Sequence, residues 1–284
     1  MDDVRIAILG GASFLGGRLI PLLQDSGFEV IAFTRDRSRL SVSSAAWRHI
    51  DDWSSLKFDA VVSLAPIWAL SEYLEPLAQS KVKRIVALSS TSRYTKCESP
   101  DPGERALAER LAASESRLER WADERGVEWV VLRPTMIYGL GRDKNVFEVA
   151  RFIRRFGFFP LAGGGTGLRQ PVHVDDVVQV CLRALTASAV VAGGYNLSGG
   201  EVLSYRAMVI RIFEAQRLPV RVVSIPVVFL NLIISVARCL PRYRHLSAAM
   251  ASRMAEDLMF DHCAAQRQFD FLPRPFELGE ADLP

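Results

Sequence analysis

Apolar positions in this chain fall into short runs that alternate with stretches of helical period. Val4, Ile6, Ala7, Ile8 and Leu9 form the first run, bounded by Gly10. A run this short and this apolar suits a parallel strand covered on both faces. Phe14, Leu15, Leu19 and Leu22 then recur at helical spacing. Residues 28–34 (FEVIAFT) predict a second strand, residues 47–50 a weak third, residues 58–64 (FDAVVSL) a fourth, residues 84–88 a fifth and residues 127–132 a sixth. Helices are expected over 68–80 and over 104–124, the latter with Leu107, Leu111, Leu118 and Ala122 as its apolar stripe. Strands and helices in strict alternation indicate an α/β protein with a doubly wound parallel sheet.

The pattern loosens after Gly141. Residues 145–156 read as a helix with Val146, Val149, Ala150, Phe152 and Ile153 on one face, followed by the turn Gly163-Gly164-Gly165. A short strand is expected at Val172-His173-Val174, then a helix capped by Asp175 or Asp176 that buries Val177, Val178, Val180, Cys181 and Leu185. Tyr195 to Leu197 predicts another strand, and Ser204 caps a helix running to Ala215. The expected organisation is a nucleotide-binding unit over 1–140 and a smaller C-terminal α/β substrate- or partner-binding part over 141–284, interleaved with the first. Residues 222–237 (VVSIPVVFLNLIISVA) are unusually apolar but carry Pro226 and Asn231. They fall short of the roughly 20 residues a spanning helix needs, so a buried or partner-packed helix, or contact with a membrane surface, is expected.

Composition narrows the function classes. With 284 residues, 49% of them hydrophobic, the chain can bury a large core. A net charge of +3 with no basic stripe argues against nucleic acid as a partner. Cys97, Cys181, Cys239 and Cys263 show neither metal-ligand spacing nor a disulfide framework. That suits free thiols in a reducing compartment and no metal site. The first apolar run is a strand followed by glycines, so no signal peptide is expected and the expected location is cytoplasmic, free or peripheral to a membrane. Self-association is compatible with this reading.

The chemistry begins at the first turn. Gly10, Ser13 and Gly16 follow the spacing G-x-x-G-x-x-G, with Ser13 where the middle glycine would be. Gly10 and Gly11 allow a tight turn, and the helix N-terminus that follows presents free N–H groups and a positive dipole end. Both suit a pyrophosphate, with Phe14 and Leu15 beside it. This strand, turn and helix form the first unit of a Rossmann dinucleotide site. The second strand ends in Thr34 and Arg35, where an acidic residue selects NAD and an arginine accommodates a 2′-phosphate; NADP is preferred over NAD. Asp51 and Asp52 are expected to close over the adenine. Leu64, Ala65 and Pro66 end the fourth strand near the cofactor, and Ser89-Ser90-Thr91 end the fifth, where ligands bind in open α/β sheets.

Together these residues resemble the extended short-chain dehydrogenase/reductases, in the NAD-dependent epimerase/dehydratase branch that acts on nucleotide sugars. GGASFLG resembles the dinucleotide turn and RIVALSSTSRY the fifth strand with its serine pair. VVLRPTMIYGLGRD, which contains Pro134, resembles the segment near the nicotinamide, and RQPVHVDDV a segment of the sugar-nucleotide part. YNLSGGE and FDHCAAQRQFDFLPRPF also have counterparts there. The resemblance covers nearly the whole chain. It implies an NAD(P) cofactor, and Arg169, with Arg142 as a second contact, on the diphosphate of an NDP-sugar; fork geometry and fixed charge suit arginine to that task.

The catalytic pattern departs from the family. Its Tyr-x-x-x-Lys would fall on Leu111 and Glu115, and none of the six tyrosines has a lysine four residues on. General acid–base catalysis is worth about 10²–10⁴-fold, so the loss matters. Two readings stay open. In one, the chain acts on a nucleotide-sugar or related small molecule by cofactor-linked hydride transfer through a non-standard site, with Tyr94, Lys96, Glu115 and Ser90 as candidates and Tyr138 as a further one. In the other it binds NADP(H) without turnover, as a structural or redox-sensing protein serving a membrane-associated partner. That reading resembles the nucleotide-binding accessory subunit of respiratory complex I and the NmrA-like sensors. His173, between Val172 and Val174, is read as a structural histidine.

Overall fold

In the computed structural model, which describes residues 4–41, 46–143, 145–226, 228 and 252–284, the apolar runs assemble into one seven-stranded parallel sheet. Its strands are β1 (Arg5–Leu9), β2 (Glu29–Thr34), β3 (Ala46–His49), β4 (Ala60–Ser63), β5 (Arg84–Leu88), β6 (Glu128–Pro134) and β11 (Gly193–Leu197). Their order is β11-β6-β5-β4-β1-β2-β3. Chain order reverses between β1 and β4, which places a ligand crevice at the carboxyl ends of those two strands. The doubly wound Rossmann sheet expected from the alternation is present.

The two faces of the sheet bury alternate residues of each strand, as the period of two requires. On one face Ile6, Ile8, Val62, Val86, Val130 and Leu132 pack under α1 (Gly16–Asp25), α7 (Val174–Thr186) and α9 (Cys263–Phe269). On the other, Ala7, Leu9, Val61, Ile85, Ala87 and Val131 pack against Leu111, Leu118, Trp121 and Ala122 of α5 (Pro102–Asp123). Asp101 caps α5 by accepting from the Gly103 amide, and Pro102 opens the helix at the one place where its missing N–H costs nothing.

A third core holds the smaller part together. Tyr138 of β7 (Ile137–Tyr138), α6 (Val146–Phe156), β8 (Phe159–Ala162) and α8 (Tyr205–Ala215) bury Val146, Ile153, Leu161, Met208, Ile212 and Phe213 with Phe276. Ser204 caps α8 by accepting from the Ala207 amide, as expected. The short strands β9 (Leu168–Arg169) and β12 (Leu203–Ser204) pair antiparallel, and β10 (Val172–His173) pairs with β7. The chain also returns to the first sheet: β11 joins its edge and α7 covers its face. Arg84 of β5 fastens that return, donating to the carbonyls of Ala184, Leu185 and Ala187 at the end of α7 and pairing with Glu128.

Two local expectations are corrected. The helix expected over 68–80 is two short turns, α2 (Ile67–Leu70) and α3 (Leu74–Leu77). Pro76 has no N–H to offer Glu72 four residues back, so one continuous helix would leave that carbonyl without its partner. The cap of α7 is His173 rather than an aspartate: its Nδ1 accepts from the Asp175 amide at 3.2 Å. The two aspartates lie in the first turn instead, where Asp175 pairs with Arg18 at 2.8 Å and Asp176 with Arg274 at 2.8 Å.

Of the apolar run 222–237, Val222–Ile225 form β13, paired parallel with β8. Beyond it only Pro226 and Val228 are described, and the helix expected for the rest lies outside the described residues. Among the described residues no helix is long and apolar enough to cross a membrane.

The C-terminal residues close over β10. Asp282 accepts from the Leu140 and Gly279 amides at 2.9 Å each, and its carboxylate lies 3.5 Å from His173 Nε2. Because His173 Nδ1 accepts at the cap, Nε2 carries the proton and donates toward Asp282. Burial opposes the Asp282 charge, yet these hydrogen bonds hold its pKa below the usual carboxylate range. A depressed carboxylate stabilises the fold above its unfolded pKa and loses that contribution as pH falls through the folded value. Asp282→Asn is therefore expected to be less stable than wild type at neutral pH, with the gap narrowing below about pH 4. Urea midpoints of both proteins across that range check it; a gap that does not change with pH contradicts it.

Candidate cofactor and active site

The glycine turn is built for close approach. Gly10 sits at φ +78°, and a Cβ there would lie 2.5 Å from the Ala65 nitrogen. A Cβ on Gly16 would lie 2.1 Å from the Gly11 carbonyl oxygen. Gly16 thus lets the start of the helix pack on the turn itself. Ser13, in place of the middle glycine, accepts from the Gly16 amide through Oγ at 3.2 Å, so its hydroxyl caps the entering turn. Leu15 is buried against the core and Phe14 packs partly beside it. Leu64 and Ala65 lie against Gly10 across the crevice, and Pro66 follows at the exposed start of α2. Backbone packed this closely holds the turn at the switch point of the sheet, and the helix N-terminus it presents there fits a pyrophosphate.

At the end of β2, Thr34 is buried and its Oγ1 accepts from the Asp36 amide at 3.0 Å. Arg35 is exposed, and its carbonyl lies 3.3 Å from His49 Nε2. Arg37 pairs with Asp51 at 3.3 Å. Asp51 belongs to the 3₁₀ turn Ile50–Ser55, together with Asp52.

Under the strand ends of β5 and β6 the structure gathers residues far apart in sequence. Glu115 of α5 is 4% exposed. Ser89 donates to its Oε1 at 2.5 Å, and Arg133 donates to its Oε2 through Nε at 2.9 Å and Nη2 at 2.6 Å. Arg93, on α4 (Ser92–Thr95), pairs with the same Oε2. The Arg133 guanidinium lies on Gly194 of β11, where any side chain would collide with it. Both guanidiniums flank the Tyr94 ring, with Cζ 5.2 Å (Arg93) and 5.6 Å (Arg133) from its centroid. The ring is 42% exposed and lies 6.0 Å from that of Phe260.

The other candidates lie around this centre without joining it. Lys96 pairs with Glu104 at 3.5 Å, and Arg253 takes the same carboxylate. Burial opposes the charge of Glu104, but hydrogen bonds from Arg253 and Ser99 keep its pKa low. Ser90 Oγ accepts from the Ser92 amide at 3.1 Å, and the Pro134 carbonyl accepts from the Thr91 amide at 3.2 Å. Tyr138 is fully buried, which pushes its phenol up to about 12. Arg142 is exposed. Arg169 is 4% exposed, and it donates to the carbonyls of Leu168 (2.7 Å), Glu256 (2.6 Å) and Arg253. Burial lowers its pKa.

Arg93 and Arg133 were missed by sequence reasoning. The available signal was an arginine ending an apolar strand, a charge that needs a partner where it is half-buried. Glu115, on the inner face of α5, supplies that partner.

Residues 69–198 match the NAD dependent epimerase/dehydratase family. The resemblance read from the sequence thus holds, on the segment that carries the β5 serines, α5 and the strand ends of β6 and β11. Over 98% of its length the chain superposes, with a TM-score of 0.73 at 16% identity, on 95% of UDP-glucuronic acid 4-epimerase from Bacillus cereus, crystallised in complex with NAD. An uncharacterized protein of Mycobacterium bovis is 25% identical over 212 residues. That match takes in 72% of this chain but 22% of the relative, so the chain spans about a fifth of that protein. Subunit 9 of the NADH dehydrogenase [ubiquinone] 1 alpha subcomplex from Arabidopsis thaliana is 31% identical over 100 residues, 35% of this chain and 25% of that protein.

Proposed function

We propose that this chain binds NAD(P) at the Gly10–Gly16 turn, takes a nucleotide-sugar or related small molecule beside it, and lacks the proton relay that the family uses for turnover. One observation carries this reading. Where the resemblance puts the relay lysine stands the buried carboxylate of Glu115, held by Ser89, Arg93 and Arg133, and where it puts the tyrosine stands Leu111, 4% exposed. Both oxygens of that carboxylate are engaged by its own neighbours rather than presented to a ligand. When bound, NAD(P) offers hydride exchange at its nicotinamide. The chain supplies the helix N-terminus of α1 for the pyrophosphate, Leu64 and Ala65 as the opposite wall, and the Glu115 cluster at the strand ends.

A second reading has its own observation. The Tyr94 ring stands beside both guanidiniums, so its phenol is the candidate for proton transfer in a rearranged site. Lys96 takes no part there, since it is directed to Glu104. Incubating the nucleotide-loaded protein with a panel of NDP-sugars separates the two. An unchanged redox state of the nucleotide supports the first reading; turnover that Tyr94→Phe abolishes supports the second.

Arg35 is proposed to set the preference for NADP. Arg35→Asp is expected to move the ratio of affinities from NADP toward NAD by about tenfold or more, the loss of one charge-assisted contact. Fluorescence titration with both reduced nucleotides measures it, and an unchanged ratio removes Arg35 from the site.

A further inference from the structure

We infer that Arg93 and Arg133 form a receptor for a carboxylate carried by the second ligand; the inference rests on the nucleotide-sugar reading above and narrows it to acidic members of that class. Two guanidiniums share the single carboxylate of Glu115, which leaves one positive charge in a half-buried place. Their side chains are 24% and 14% exposed, so water compensates them only in part.

A second carboxylate on the same helix face does not complete the balance. Glu104 lies on the same face of α5 as Leu111 and Glu115, by the i, i+7, i+11 spacing. It is already held by Arg253 and Lys96. Along this face four cations therefore meet two carboxylates.

Geometry points the same way. Glu115 takes Nη1 of Arg93 and both Nε and Nη2 of Arg133. Among the described residues, Arg93 Nε and Nη2 and Arg133 Nη1 have no protein acceptor. None of these atoms is among the buried groups without a partner, so they reach solvent. The glutamate fixes both planes in advance, and Gly194 gives Arg133 room to lie flat. Planar forks with free donors match a carboxylate. One net charge matches a monoanion better than a phosphate dianion. The two arginines stand at the carboxyl ends of β5 and β6, where a second ligand meets the nicotinamide end of the crevice.

The test compares two probes that differ only at the acid: UDP-glucuronic acid and UDP-glucose, titrated calorimetrically into the full chain with and without saturating NADP(H). The wild type is expected to bind the acid at least about tenfold more tightly, the worth of one charge-assisted pair. Arg93→Gln is expected to bring the ratio close to one, read as a ratio so that any loss common to both probes from disturbing the Glu115 cluster cancels, and Arg93→Lys to recover part of it. Equal affinities in the wild type, no binding of the acid, or an unchanged ratio in Arg93→Gln overturns the proposal. Failure of NADP(H) to bind overturns the cofactor reading instead, and the two probes on the cofactor-free chain still decide the carboxylate site.

Discussion

Gly16→Asp abolishes nucleotide binding, while its neighbour Gly17→Ala leaves binding intact. That is the expected pair of results, and it follows from space alone before charge is considered. A Cβ at Gly16 would stand 2.1 Å from the Gly11 oxygen and 2.5 Å from its carbon, both backbone atoms of the turn. The turn must therefore move, and forced overpacking of this kind costs about 1–3 kcal/mol. The carboxylate then sets a negative charge at the helix N-terminus proposed to take the pyrophosphate, so affinity is expected to fall at least about 100-fold. At Gly17 an added Cβ meets nothing within 4 Å, although the residue belongs to the same helix. Alanine there gains helix propensity and is expected to be neutral or to stabilise by up to about 1 kcal/mol. Calorimetric titration of NADP(H) into both variants, with thermal melts alongside, reads the two effects separately. Retained binding in Gly16→Asp would remove the glycine turn from the cofactor site.

The second large effect belongs to Glu115. Glu115→Ala leaves Arg93 and Arg133 facing each other without the carboxylate that holds them, and it takes the acceptor from Ser89. Removing one member of a buried ion cluster costs about 3–5 kcal/mol, because the remaining charges stay desolvated and unpaired. Partial exposure of Arg93 places the expectation near the lower end, about 3 kcal/mol. Glu115→Lys, which reverses the charge at the centre of the cluster, is expected to be worse, since three cations then share one space. The decisive variant pairs Glu115→Lys with Arg93→Val and should recover much of the loss. Denaturant unfolding of the three proteins tests the set; a Glu115→Ala change below about 0.5 kcal/mol, the range of an exposed pair, would show that the cluster does not hold the centre together.

The frame of this molecule was legible because it rests on short-range signals. A run such as Ile6 to Leu9, then Gly10, then a helical stripe, states strand, turn and helix in order, and the sheet has the switch point that this order requires. Elements resting on one atom were harder to read. The missing N–H of Pro76 split an expected helix in two, and an imidazole rather than the adjacent carboxylates took the cap of α7. The centre of the site was hardest, since its contacts join positions 89, 93, 115 and 133 through tertiary packing. Sequence periodicity places Glu115 on the inner face of α5 but does not say which cations meet it. Arg84, reaching from β5 to the end of α7 about a hundred residues on, is a further contact of this kind.

The most direct test of the account is native mass spectrometry of the purified chain titrated with NADP(H). The account predicts one nucleotide per chain, retained in Gly17→Ala and absent in Gly16→Asp. A wild-type chain that carries no nucleotide at saturating concentration would contradict it at its centre.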